Sequence, residues 1–168
     1  DRLGEWDTEN AQGYFDEWSE WVAERDETIS QRLQNAKFDK YYDRDIYGAE
    51  DLDDYGQWSD TDNYGKVWRP NQSTISVYDN WSPYRYGSWR WVNPYGWTWV
   101  NDEPWAWATS HHGRWDSDNR GWFWTPYPVN RPKRSRWKPA VVTIFNVGND
   151  VCWYPLTPRD RFDDYNRH

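Results

Sequence analysis

The stretch YGSWRWVNPYGWTWVNDEPWAW, residues 86–107, sets six tryptophans in twenty-two positions. Within it, Gly87-Ser-Trp89-Arg-Trp91 is followed, after Asn93-Pro94-Tyr95-Gly96, by Trp97-Thr-Trp99-Val100. Large rings recur with period two, the pattern of a strand with one face turned inward. The intervening Asn, Pro and Gly are turn formers. Paired antiparallel, Trp89, Trp91, Trp97 and Trp99 share one face as a four-indole ladder, while Arg90, Thr98 and Val100 take the other. A lone hairpin cannot bury such a ladder, so neighbouring elements are expected to stack on it or wrap over it.

The same phrase recurs on both sides. Gly56-Gln-Trp58 precedes Gly65-Lys-Val-Trp68, and Gly113-Arg-Trp115 precedes Gly121-Trp122-Phe-Trp124. The turns SDTDNYG and DSDNRG hold the Asp, Asn and Gly that tight turns favour. Three successive hairpins of one design are therefore read, and the strand period is expected to begin near residue 45. DTDNYG and DSDNRG also imitate calcium loops, but Tyr64 and Arg120 stand at the fifth position and no Glu stands at the twelfth, so both read as turns. A last pair of strands is expected in AVVTIFN and VCWYPL, joined through VGND.

Upstream, Phe15, Trp18, Val22, Ile29, Leu33 and Ala36 fall three and four apart, broken by Arg25. Residues 10–38 thus read as one amphipathic helix, expected to pack on a sheet, or else to be offered to a partner. The organisation expected is an acidic helical segment over 1–44, a Trp-rich β-hairpin domain over 45–160 and a polar tail over 161–168. The fold class is mainly β: tandem antiparallel hairpin repeats forming a compact sheet or a barrel-like unit, preceded by the helix.

Composition explains the reliance on rings. Leu, Ile, Val and Phe together make up about 14% of the 168 residues, below the level that ordinarily sustains a core. Seventeen Trp and thirteen Tyr stand in their place, each able to bury on the order of 150–250 Å². Most indoles are expected inside, with a minority left for contact. Nine are singled out as ladder or contact residues: Trp89, Trp91, Trp97, Trp99, Trp105, Trp107, Trp115, Trp122 and Trp124.

Charge is segregated. Residues 1–64 carry 19 acids and 6 bases, whereas 65–168 carry 9 acids and 14 bases, for a net −8. An acidic chain is a poor nucleic-acid binder, and its halves attract one another or a neighbouring copy. Arg131, Lys133, Arg134, Arg136 and Lys138 form a basic, proline-punctuated connector, expected to meet the acidic half before any outside anion. No apolar run is long enough to span a membrane as a helix. The sequence opens at Asp1 and has no Met, so the initiator and any signal peptide are expected to be removed or to lie outside it.

Little chemistry can be read. Cys152, the single cysteine, lies between Val151 and Trp153 and reads as a buried small apolar residue. His111 and His112 are adjacent, would face opposite ways in a strand, and read as structural or surface groups. Asp102 and Glu103, beside Pro104 and Trp105, are the only acids set among aromatics; they read as solvated turn residues, with a glycosidase pair as the sharper alternative. No nucleophile or phosphate motif is present. No enzyme, metal or cofactor is read.

DLDDYGQW, YGKVWRP, WSPYRYGSWRWVNPYGWTWVNDEPWAWATSHHGRW, GWFWTP and VCWYPL together resemble a tryptophan-rich family of exported bacterial proteins, a domain of unknown function with YXWGXW-like repeats. The likeness covers roughly residues 45–160, and Phe15, Asp16, Trp18, Arg25 and Asp26 are similar to a segment found upstream in it. Ala106 stands where a Gly is usual, and YPVNRPKRSRWKP replaces a Gly-rich segment. The resemblance implies a bacterial cell-envelope setting, periplasmic or extracellular, and no catalytic residues. The expected role is a non-catalytic module that contacts another envelope protein or its own copies. Glycan or cell-wall polymer binding is the alternative, and a glycoside-type hydrolase a second one.

Overall fold

Turn chemistry and ring packing together fix the architecture. The computed structural model describes residues 17–35, 40–127, 129 and 135–160. The chain divides into two units, Asp1–Asn35 and Ala36–His168. The first contains α1 (Glu17–Asn35), with Glu17 and Glu20 in its first turn, where the helix dipole favours acids. The start expected near residue 10 and its caps lie outside the described residues. Trp18 and Trp21 stack with centroids 5.0 Å apart, and Arg25 lies over Trp21. Trp18, Trp21 and Ile29 are exposed and Val22 is half-buried, while the side chains of Phe15, Leu33 and Ala36 in the expected stripe lie outside the described residues.

The second unit is mainly β, with eight antiparallel strands among its described residues. β1 (Gly56–Thr61) pairs with β2 (Gly65–Pro70), β3 (Gly87–Val92) with β4 (Gly96–Asn101), and β5 (Arg114–Asp118) with β6 (Gly121–Thr125). β7 (Val142–Val147) pairs with β8 (Asp150–Pro155). DTDNYG and DSDNRG form the β1–β2 and β5–β6 turns, as the sequence predicts. The strands make one four-stranded sheet, ordered β1-β2-β6-β5, and two separate two-stranded sheets, β3-β4 and β7-β8. No closed barrel is formed by the described strands, which corrects the barrel-like expectation. In the order β1-β2-β6-β5 the outer strands β1 and β5 do not pair with each other, so the four-stranded sheet stays open.

Short helices interrupt the strands where continuous hairpins are predicted. A 3-10 turn (Ala49–Asp51) runs into α2 (Leu52–Tyr55), α3 covers Gln72–Ile75, and α4 covers Ala106–His111. Ala49 and Leu52 are three apart and both fully buried, a helical spacing in a segment with no period of two. α4 begins at Ala106, and it buries Ala106, Ala108 and His111. Alanine favours the helix by roughly 1 kcal/mol over glycine.

The core is built of rings, seated the same way in three hairpins. In register, Trp58 faces Trp68, Trp89 faces Trp99 and Trp115 faces Trp124. The second ring of each pair is at most 1% exposed. Each lies flat against the glycine that opens or precedes its partner strand: Trp68 on Gly56, Trp99 on Gly87 and Trp124 on Gly113. A Cβ at any of these glycines would come within 3.0 Å of that indole and of a backbone carbonyl. The glycine is thus required by close approach. Trp68 Nε1 donates to Leu52 O and Trp124 Nε1 to His112 O, both at 2.9 Å. Trp99 Nε1 finds no acceptor among the described residues.

Candidate functional site

The nine indoles nominated from sequence separate into three classes. Trp99, Trp105, Trp115 and Trp124 are buried, Trp89 and Trp122 are half-buried, and Trp91, Trp97 and Trp107 are exposed. Trp105 contacts Trp68 and Trp81, and Trp115 contacts the same two, so these four rings make one cluster. The four-indole ladder pairs as expected but is covered only at one end. Trp89 and Trp99 pack against each other and against Trp153 of β8. Trp91 and Trp97, nearer the turn, meet edge to face at 5.8 Å and are 68% and 61% exposed. The covering element reaches the base of the hairpin and stops, which corrects the expectation that the whole ladder is wrapped.

The exposed tip therefore stands on a fixed base. Thr98 and Trp99 are buried, and Trp99 N donates to Pro139 O at 3.0 Å, tying β4 to the connector. Beside the tip runs a second row of rings. Tyr95, 58% exposed, lies 4.7 Å from Trp137, which stacks on His111 at 5.2 Å, and His111 meets Trp107 at 4.3 Å. Tyr95 and Trp137 were not among the nominated residues. Tyr95 sits in a turn and Trp137 in a cationic run, so neither belongs to a period that marks it. Arg136 is exposed and Lys138 half-buried, its N–H bonded to His111 O; Arg131, Lys133 and Arg134 lie outside the described residues.

The histidines sit on α4 and its end, not in a strand, and both are buried. His111 Nδ1 lies 2.7 Å from Lys138 O, which fixes the proton on Nδ1. Burial lowers its pKa. Burial, then the neighbouring His111, lowers His112 further, to about 4. Ser135 Oγ accepts from Gly113 N at 3.0 Å and lies 3.3 Å from His112 Nδ1. Among the described residues His112 Nε2 has no partner, so no described carboxylate orients this pair as a Ser–His nucleophile requires.

Glu103 is a buried carboxyl rather than a solvated one, only 4% exposed. Its Oε1 accepts from Trp81 Nε1 at 2.8 Å and its Oε2 from Asn101 Nδ2 at 3.2 Å. Burial raises its pKa against the pull of these donors. Asp102 is exposed. The missed signal is Trp81, whose indole N–H, twenty-two residues away, supplies the acceptor's partner and lets the acid turn inward. Cys152 is half-buried, opposite Phe145 in a strand pair whose outer end is open. Among the described residues, no group of three or more His, Cys, Asp or Glu is placed to hold a metal ion. No described helix is long and apolar enough to cross a membrane.

Residues 49–160 match a sequence family described as a Family of unknown function (DUF6600). No curated protein and no solved structure matches the chain.

Proposed function

Since the chain belongs to the DUF6600 family, whose description assigns no activity, we propose a function from geometry: a non-catalytic binding module of the cell envelope. In this reading it contacts a partner protein through the aromatic tip of β3–β4. The observation that carries it is the pair Trp91 and Trp97, exposed on a hairpin whose other end is locked into the core by Trp89 and Trp99. Rings held in place lose little entropy on binding, and exposed aromatics anchor interfaces. Export to the periplasm or cell surface is part of the proposal and rests on the family resemblance. Under the same reading, β1–β2, β3–β4 and β5–β6 are copies of one Gly-x-Trp design; the common seating of Trp68, Trp99 and Trp124 supports this.

The sealed position of Glu103, held by Trp81 and Asn101, weighs against a glycosidase pair with Asp102. Glycan binding is the second reading, favoured by the row Tyr95, Trp137, His111 and Trp107, whose outer rings are placed to stack on sugar faces. Capture from an envelope extract tests the first reading. The full chain retains a defined protein that Trp91→Ala/Trp97→Ala releases; equal capture by both, or none, overturns it. A change in tryptophan emission on adding peptidoglycan, without protein capture, supports the sugar reading instead.

A further inference from the structure

We propose that the β7–β8 arm joins two copies of this chain, with the outer edge of β7 pairing antiparallel with β7 of the second copy. This inference concerns a different surface from the aromatic tip and stands whether or not that tip binds a partner.

β7 and β8 form a sheet of their own, so each leaves one edge without a strand. Among the described residues, no backbone group of Val142–Val147 bonds outside the hairpin. Eight consecutive residues, 144–151, are exposed, and Ile144, Phe145, Val147 and Val151 are apolar. The base of the arm is held: Trp153 Nε1 donates to Tyr84 O at 3.0 Å, and its ring packs on Trp89 and Trp99. The edge is presented rather than loose.

Charge selects the occupant. Asp150 is the only charged residue in 142–155, and β7 has none. The other outer strands are guarded as natural edges are. β1 carries Asp60, β5 carries Arg114, Asp116 and Asp118, and β3 carries Arg90. β4 has no charge, but its edge is covered by the connector through Trp99 N and Pro139 O. On a chain of net charge −8, two copies meet with least repulsion where uncharged β7 lies against uncharged β7. A two-fold axis normal to the sheet pairs a strand with itself and keeps both faces in register. Four strands result, β8-β7-β7-β8. Ile144 then lies against the second copy's apolar residues on one face, and Phe145 and Val147 do so on the other.

Sedimentation velocity and hydrogen exchange on the full chain test this, from roughly 1 to roughly 100 µM, a range that brackets a weak contact. The mass is expected to double with concentration, while the amides of Ile144–Val147 become protected. Ile144→Lys/Val147→Lys, at two exposed positions, is expected to remain monomeric with an unchanged near-ultraviolet spectrum. A wild-type monomer throughout overturns the proposal. A dimer whose protection falls elsewhere, such as residues 91–97, or a folded Lys variant that still dimerises, overturns it equally. If the Lys variant does not fold, wild-type exchange alone decides.

Discussion

Replacing Gly113 by alanine tests how the rings are seated. Gly113 has φ +64, a left-handed conformation that costs an L side chain roughly 1–2 kcal/mol. The added methyl would also come within 3.0 Å of Thr125 O and the Trp124 indole. Trp124 cannot yield easily, being fully buried with its N–H bonded to His112 O. Overpacking of this kind adds about 1–3 kcal/mol. The expected loss is thus about 2–5 kcal/mol, a large share of the 5–15 kcal/mol typical of a domain. Two other glycines separate the causes. Gly121 has φ +99 with nothing within 4 Å of an added Cβ, so alanine there costs only the backbone share, about 1–2 kcal/mol. Gly56 has the extended φ of −167 but meets Trp68 and Arg69 O, so alanine there costs only the packing share, about 1–3 kcal/mol. Urea unfolding followed by tryptophan emission measures all three. If Gly113→Ala unfolds with Gly121→Ala, or Gly56→Ala with the wild type, the glycines do not seat the rings.

His112, with a folded pKa of about 4, favours its neutral form. Stability is therefore full above the unfolded value near 6.5 and falls as pH drops towards 4, by up to about 3 kcal/mol. Urea midpoints at pH 7.5 and 4.5 check this, and His112→Asn should flatten the difference. Glu103 has the opposite sign: its raised pKa means stability present below about 4.5 is lost as pH rises through the folded value. Glu103→Gln is expected to raise the midpoint at pH 8 and leave it unchanged at pH 4; a lower midpoint at pH 8 refutes the reading. Trp99→Ala should cost about 3–5 kcal/mol, whereas Trp97→Ala, at an exposed position, should cost less than about 1 kcal/mol. Paired melting curves show whether that contrast holds.

The sequence carried the hairpins because their signals are local. Gly, Asn and Asp mark each turn, and alternation marks each strand, so the register Trp89 to Trp99 and Trp91 to Trp97 was legible before any coordinates. Exposure was not legible, because it depends on which element covers which end of a hairpin. Trp91 and Trp99 occupy one predicted face, yet only Trp99 lies beneath Trp153 and the connector. α4 was missed because six residues hold less than two turns, too few to establish a helical period. Glu103 was misplaced for a related reason: its partner Trp81 is twenty-two residues away, and burial of a carboxylate is tolerable only with such donors.

Hydroxyl-radical footprinting of the folded chain, read residue by residue by mass spectrometry, tests the ring-built core most directly. Trp91, Trp97 and Trp107 should oxidise readily, while Trp68, Trp99, Trp105 and Trp124, each at most 1% exposed, should be protected until the chain unfolds. Oxidation of Trp68, Trp99 and Trp124 as fast as Trp91 and Trp97 in the native state would contradict the account.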